Sequence, residues 1–188
     1  MLAEFRVRNY KNFRDELKFS LEQNKNYEFN QDAVYNGIIK DSVVVGYNAS
    51  GKTNLGLAVM DIIVHLTDKK WKKTPGILYS NLYNQDNVAF FAYKFKFGSS
   101  VLEYTYEKKD AEYVIRESIK IDGKKIIKND SGTCSVELNG SENLNLENWD
   151  SSISLVKYVY ANTVLDKEDK NCLVFIKFMK FVNQMLWI

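Results

Sequence analysis

The 188-residue sequence is 45% hydrophobic and 14% aromatic, enough to bury one sizeable core and too much for a disordered chain. Lys and Arg number 26 against 24 Asp and Glu, and a net charge of +2 argues neither for nucleic acid nor for an anionic membrane, so any basic surface must be local. Cys134 and Cys172 have no metal-type spacing and make no disulfide framework, and Met1 to Arg8 interleaves charge where a secretory signal needs an apolar run, so a reducing, cytoplasmic location is expected.

Leu2 to Arg8 alternates, with Ala3, Phe5 and Val7 opposed to Leu2, Glu4, Arg6 and Arg8, which predicts a half-buried first strand. After the polar turn Asn9 to Asp15, Leu17 to Leu21 returns as a second strand, so the chain opens with an antiparallel pair. Glu22 to Gln31 is polar and loop-like, and Asn36-Gly37 marks a turn. Ser42-Val43-Val44-Val45 is a β-branched run suited to a buried strand.

The next eight residues, Gly46, Tyr47, Asn48, Ala49, Ser50, Gly51, Lys52 and Thr53, fit the phosphate-loop pattern G-x-x-x-x-G-K-[ST]. Thr53 to Leu66 then reads as helix, with Leu55, Ala58, Val59, Ile62, Ile63 and Leu66 at helical spacing. Strand, loop and helix thus come in the order that phosphate binding needs. The glycines let the backbone wrap closely, so that successive N–H groups and the helix N-terminus point at negative charge. Lys52 would reach the β- and γ-phosphate oxygens, and Thr53 would offer its hydroxyl to a Mg²⁺ bridging them. Catalytic roles are therefore expected of Lys52 and Thr53, and nucleotide contacts of residues 46 to 54, Asn54 included. His65 is the lone histidine, without a nucleophile or metal ligand beside it in sequence, and reads as a helix-surface residue.

Beyond this helix, Lys69, Lys70, Lys72 and Lys73 surround Trp71 ahead of the only proline, Pro75. Such a cluster suits either a nucleic-acid backbone with the ring stacked on a base, or a helix C-terminus whose cations complement the macrodipole. The near-neutral chain favours the second. The middle of the chain is a β-meander: Phe91, Tyr93, Phe95 and Phe97 share one face, and Leu102, Tyr104 and Tyr106 alternate with Glu103, Thr105 and Glu107. An aromatic stripe at this spacing is core. Tyr113 to Ile121, the turn Asp122-Gly123 and Lys124 to Lys128 form a second hairpin, and Asn139-Gly140 signals a third. Ser152 to Tyr160 reads as one more strand. Cys172 to Ile188 reads as an amphipathic helix with Lys177, Lys180, Asn183 and Gln184 on one side, too short and too polar to span a membrane. It ends on Leu186-Trp187-Ile188 without a stop signal, so its apolar face is expected to need a partner and the natural polypeptide to continue.

Gly-Tyr-Asn-Ala-Ser-Gly-Lys-Thr-Asn-Leu, with Asn48 and Asn54 in these places, resembles the loop of ABC-type ATPase heads of the SMC and RecF kind, where G-x-N-x-[SA]-G-K-[ST]-[NT]-L recurs. Within that group the chain resembles the N-terminal lobe of the AAA-type, OLD-like ATPases of bacterial and phage-defence loci. Asn9-Tyr10-Lys11-Asn12-Phe13 is similar to that family's N-F-k-s-F start, Tyr104-x-Tyr106 with Arg116-Glu117 to its hairpins, and Ser154-Leu155-Val156 through Met185 to the strand and helix before its helical insert. The resemblance implies an α/β (α+β) phosphate-loop lobe of ABC-ATPase-head type: residues 1–188 as one lobe, an antiparallel meander over about 88–160 beside the loop strand and helix, and an apolar helix over about 170–188. It implies ATP and Mg²⁺ as cofactors, a homodimer formed through the heads, and gating of an effector protein or of nucleic acid. It also places a Mg²⁺-sensing amide at the end of the strand leaving the lobe. Asn162 is the nearest position, one methylene shorter than the family's Gln, and a turn-forming Asn is the simpler account. Lys11 and Arg14 would lie toward the base and ribose, or serve as solvated turn cations.

The departures matter equally. The family needs a hydrophobic strand ending in Asp-Glu and a Ser-Gly signature acting across a dimer, and neither is present: Val164-Leu165-Asp166 is too short a run, Met60-Asp61 lies inside the loop helix, and Ser131-Gly132 has no helix after it. The chain reads as half of an ATPase head. A self-contained kinase or GTPase is the alternative from another class, but Lys128-Asn129-Asp130 lacks the leading Asn of a guanine-recognition motif and no Arg-bearing lid follows the loop. A third reading is a non-hydrolysing scaffold that nucleotide only stabilises.

Overall fold

The computed structural model describes residues 1–25, 29–69, 79–147, 149–150 and 152–186. Alternation and turn chemistry determine most of the architecture. Strand β1 (Leu2–Arg8) buries Ala3, Phe5 and Val7 and pairs antiparallel with β2 (Leu17–Ser20), as the alternating pattern predicts. A 3₁₀ turn (Gln31–Ala33) leads to a two-stranded hairpin, β3 (Val34–Tyr35) and β4 (Ile38–Ile39). Asn36 and Gly37 turn that hairpin at φ 50° and 72°, the left-handed pair that a tight two-residue turn requires. After helix α1 (Lys52–Leu66) comes a meander of β5 (Ala89–Phe97), β6 (Ser100–Lys108), β7 (Val114–Ile121), β8 (Lys124–Asp130) and β9 (Thr133–Val136). Helices α2 (Leu155–Asn162) and α3 (Lys170–Gln184) complete the described elements.

The strands form one seven-stranded antiparallel sheet in the order β2-β1-β5-β6-β7-β8-β9, so the protein is a mixed, α+β structure. One face is aromatic: Phe5, Phe91, Tyr93, Phe95, Tyr104 and Tyr106 are all buried there. Both α1 and α3 pack on it. The Tyr93 hydroxyl donates to the Ala58 carbonyl of α1 at 2.9 Å, and the ring of Phe178 on α3 lies 5.3 Å from Phe95 and 5.6 Å from Tyr104. The opposite face carries charge in cross-strand pairs, among them Lys94 and Lys96 on Glu22, and Arg116 on Glu107 and Asp130. No described helix is long and apolar enough to cross a membrane.

Several expectations are corrected. Ser42–Val45 is not a strand: it pairs with no described strand, and Val43 and Val45 are 87% and 85% exposed. β-branching favours a pleated ladder, but no described strand runs beside these residues, and an isolated strand has nothing to hold it. Ser152 to Tyr160 is likewise no strand. Its second half begins α2, because the Ser154 hydroxyl caps the Lys157 N–H at 3.2 Å and the Glu117 carboxylate accepts the Leu155 N–H. Leu155, Val156 and Val159 then fall on one side and are fully buried, so tertiary packing overrides the alternating pattern.

Asn139-Gly140 makes a turn, with the Ser141 N–H on the Leu138 carbonyl at 3.0 Å, but no hairpin; Ser131-Gly132 turns β8 into β9 instead. His65 is not on the surface. It is buried, with Nε2 2.9 Å from the Tyr104 hydroxyl and its ring 4.4 Å from that of Tyr106. Most of the apolar face of the C-terminal helix is covered within the chain: Phe178 and Val182 are fully buried, Phe181 and Met185 pack at the core's margin, and Lys177, Lys180, Asn183 and Gln184 point outward as predicted, whereas Leu186 just past its end is exposed. Residues 187 and 188 lie outside the described residues. Cys134 and Cys172 are both free thiols, and burial with the neighbouring Asp169 pushes the Cys172 thiol up to about 11.

Candidate functional site

The loop Gly46–Thr53 joins an exposed approach, outside any helix or strand, to the first turn of α1. Ala49 and Gly51 take left-handed φ values of 63° and 94°, which fold the backbone back on itself, and the Ser50 N–H reaches the Tyr47 carbonyl at 3.2 Å. Lys52 closes the arch. Its Nζ donates to the Gly46 carbonyl at 2.8 Å and to the Tyr47 carbonyl at 2.7 Å, so the ammonium lies over the loop it terminates. A Cβ at Gly46 would stand 2.9 Å from Ser50 Oγ, a contact that rotation of the serine side chain could relieve. Residues 41 to 50 are all exposed, so the loop's backbone faces solvent.

Helix α1 starts directly from the loop, with Gly51 as its N-cap and no capping side chain. The first helical bond is Leu55 N–H to Gly51 carbonyl at 2.9 Å, which leaves the N–H groups of Lys52, Thr53 and Asn54 ahead of the ladder. No acidic residue occupies the first turn to oppose an anion. The positive end of the helix dipole, these N–H groups and the Lys52 ammonium therefore converge on one side of an open loop, an arrangement that can neutralise a phosphate-like anion. Thr53 is exposed on this turn, and the Asn54 amide donates to Asn12 Oδ1 at 2.6 Å.

Asn12 belongs to a tight turn in which Tyr10 and Phe13 exchange backbone hydrogen bonds of 3.0 and 2.8 Å. Lys11 in that turn adopts φ 48°, its ammonium lies 5.6 Å from the Tyr10 ring, and burial lowers its affinity for a proton. Arg14 is exposed. The structure thus brings the Lys11–Phe13 turn to the loop, a contact that links the two most distinctive sequence motifs.

It does not bring Asn162 there. α2 meets α1 at the end away from Thr53, where Lys157 Nζ bonds the Thr67 carbonyl at 3.2 Å and Asp68 at 2.8 Å. Asn162 is an exposed residue in the last turn of α2, its amide on the Tyr158 carbonyl at 2.9 Å. Among the described residues no group of three His, Cys, Asp or Glu could hold a metal ion. Of the Lys69 to Lys73 cluster, Lys69 donates to the Asn183 and Met185 carbonyls at 2.6 and 2.9 Å, at the end of α3 and not of the helix that precedes the cluster. Lys70 to Lys73 lie outside the described residues.

Sequence reading missed two buried polar networks that hold α1 to the sheet. In the first, Asp61 pairs with Lys108 at 2.9 Å and accepts from the Tyr79 and Tyr106 hydroxyls, each at 2.9 Å. Tyr93 joins through Tyr106 at 3.1 Å. Burial first, then the charge of Asp61, raises the Tyr79, Tyr93 and Tyr106 phenols well above their ordinary range. In the second network His65 meets Tyr104, whose hydroxyl donates to Glu117 at 2.9 Å, and Ser154 donates to the same carboxylate at 2.8 Å. Burial raises the Glu117 carboxyl and drives His65 well below its usual value. The available signal was Asp61 and His65 at i and i+4 on the apolar side of α1. No known family model matches this chain, and no curated protein is detectably similar to it.

Proposed function

We propose that the Gly46–Thr53 loop binds the phosphates of ATP with Mg²⁺, and that this chain acts as the N-terminal lobe of an SMC- or OLD-like ATPase head. The observation that carries the reading is the closed arch. Lys52 Nζ lies on the Gly46 and Tyr47 carbonyls above a helix start with no acid in its first turn, so a cation and three helix N–H groups serve one open surface. In this reading the loop N–H groups would hold the β-phosphate, Lys52 would neutralise the β- and γ-oxygens, and the exposed Thr53 hydroxyl would be a ligand for Mg²⁺. The ion, when bound, offsets charge on the terminal phosphates.

Hydrolysis requires more than this. No described residue near the loop is placed to orient an attacking water, so ATP turnover belongs to a complete head in which a second lobe supplies the acid-ending strand and the trans-acting signature. The exposed β-branched run Ser42–Val45 supports that view, since a strand added beside it would complete the strand, loop and helix unit. Dimerisation of such heads on ATP would gate an effector or nucleic acid.

The test is calorimetric titration with MgATP. Lys52→Ala should weaken binding by roughly 2 kcal/mol, the scale of a hydrogen bond to a charged group, while the circular dichroism spectrum stays that of the parent. Equal affinity in a folded variant would overturn the assignment. Turnover by this chain alone should stay near background, because losing a trans-acting charge costs about 10³ to 10⁵ in rate in phosphate-loop enzymes.

A further inference from the structure

We infer that Asn12 is a positioning residue of the phosphate loop, acting through Gly51 and Asn54 to hold the loop in its binding form; the inference rests on the nucleotide reading above. The geometry is a two-point clasp. Asn12 Oδ1 accepts the Asn54 amide at 2.6 Å, and the Asn12 amide lies so close over the Gly51 Cα that any Cβ at position 51 would collide with it. Gly51 sits at φ 94° and Asn54 is two residues past Lys52, so one side chain from a distant turn touches the loop on both sides of the lysine that closes it. No side chain caps the start of α1, and beside the two bonds of Lys52 to its own loop the clasp ties the first turn to a distant part of the chain.

Asn12 can act this way because its own turn is immobilised from beneath. Asn9, buried at φ 54°, donates to the Asp86 carbonyl and to the Val88 carbonyl at 3.0 Å and accepts the Asn81 N–H at 3.2 Å. Asn81 returns the contact, its amide on the Lys11 carbonyl at 2.6 Å, and the Lys11 N–H reaches the Tyr79 carbonyl at 3.0 Å. Amides therefore bracket the turn that carries Asn12. A loop fixed in advance loses less conformational freedom when it closes on a ligand, so the clasp favours binding without itself touching phosphate. Its removal should act on affinity through the loop, with little effect on the aromatic core that dominates stability.

A double-mutant cycle with MgATP separates this from a structural role. Asn12→Ala and Asn54→Ala should each weaken MgATP binding roughly fivefold, the scale of one ordinary hydrogen bond, and the double variant should be no weaker than either single one. Ligand-free thermal midpoints should stay within experimental error of the parent for all three. Independent, multiplying losses, or unchanged affinity in either single variant, would overturn the clasp while leaving the nucleotide reading intact. A parent protein that binds no MgATP, or a Lys52→Ala variant that binds as the parent does, would remove the reading and the clasp together.

Discussion

Replacing Lys108 with methionine should destabilise the protein by about 3 kcal/mol, the lower end of the 3–5 kcal/mol found when one partner of a buried ion pair is removed. Lys108 is fully buried and its partner Asp61 is 5% exposed, with 2.9 Å between Nζ and Oδ2. Methionine fills nearly the same stem volume, so the loss is electrical rather than a cavity. The lower end applies because Asp61 keeps the hydroxyls of Tyr79 and Tyr106, both at 2.9 Å. The reverse change, Asp61→Asn, strands an ammonium left with the Ala111 carbonyl at 3.3 Å and the Tyr106 ring at 5.5 Å, and should cost more, about 4 kcal/mol. Combining the two removes both charges, so the double variant should lose no more than Asp61→Asn alone, about 4 kcal/mol against the roughly 7 kcal/mol of independent changes, a coupling of about 3 kcal/mol. Urea denaturation followed by near-ultraviolet dichroism measures each value. Against a total stability of about 5–15 kcal/mol, either single change should be plain in the midpoint. Losses under about 1 kcal/mol, or losses that simply add, would refute the argument that this pair anchors α1.

His65 is the single histidine, and its folded value lies well below the usual one, so the unfolded chain takes up a proton first as pH falls. Its contribution to stability is present above about pH 6.5 and should decline by roughly 1 kcal/mol between pH 7 and 5.5. Glu117 works the other way, because its raised value favours the folded state below the ordinary Glu range and that advantage is lost as pH rises through the folded value. The His65 share is the difference in pH slope between the parent and His65→Gln, and identical slopes would contradict it. Ser154→Ala removes the α2 cap to Lys157 N–H and a hydrogen bond to Glu117, which should lower stability by about 1–2 kcal/mol in thermal melts. Gly140→Ala should be worse than Gly98→Ala: both glycines have positive φ, but a Cβ at 140 would strike the Val164 carbonyl, whereas that at 98 meets open space. About 1 kcal/mol is expected at 98 and roughly 2–3 kcal/mol at 140, read from denaturation midpoints.

The sheet was largely legible in the sequence because its information is local. Ala3, Phe5 and Val7, then Phe91, Tyr93 and Phe95, alternate cleanly, and Asp122-Gly123 supplies the left-handed turn that a tight hairpin requires, at φ 48° and 82°. The loop motif and the helix after it were legible for the same reason. What escaped depends on partners. The β-branched run Ser42–Val45 has the propensity of a strand but no neighbour among the described residues to pair with. Tyr158 and Val159 suggest a strand until the capping contacts of Ser154 and Glu117 are seen, and Glu117 comes from another part of the chain. His65 reads as a surface residue without the Tyr104 hydroxyl that makes burial tolerable. Asn12 and Asn54 are 42 residues apart, a separation at which no local pattern could announce their contact.

The strand order has a consequence for how the molecule assembles. From β5 to β9 every strand neighbours the next one in sequence, so those pairings close short loops and should form early. β1 is different: it enters between β2 and β5, with Leu2 opposite Phe95, and its docking must close the longest span of chain in the sheet. The loop and α1 lie within that span. During synthesis the N-terminal strand emerges first yet must wait for β5 before it can join the sheet, leaving Phe5 and Val7 in search of cover in the meantime. Until that seam closes the Asn9–Phe13 turn has no fixed place, so the Gly46–Thr53 loop should acquire its shape last, as a product of completed folding rather than a nucleus for it.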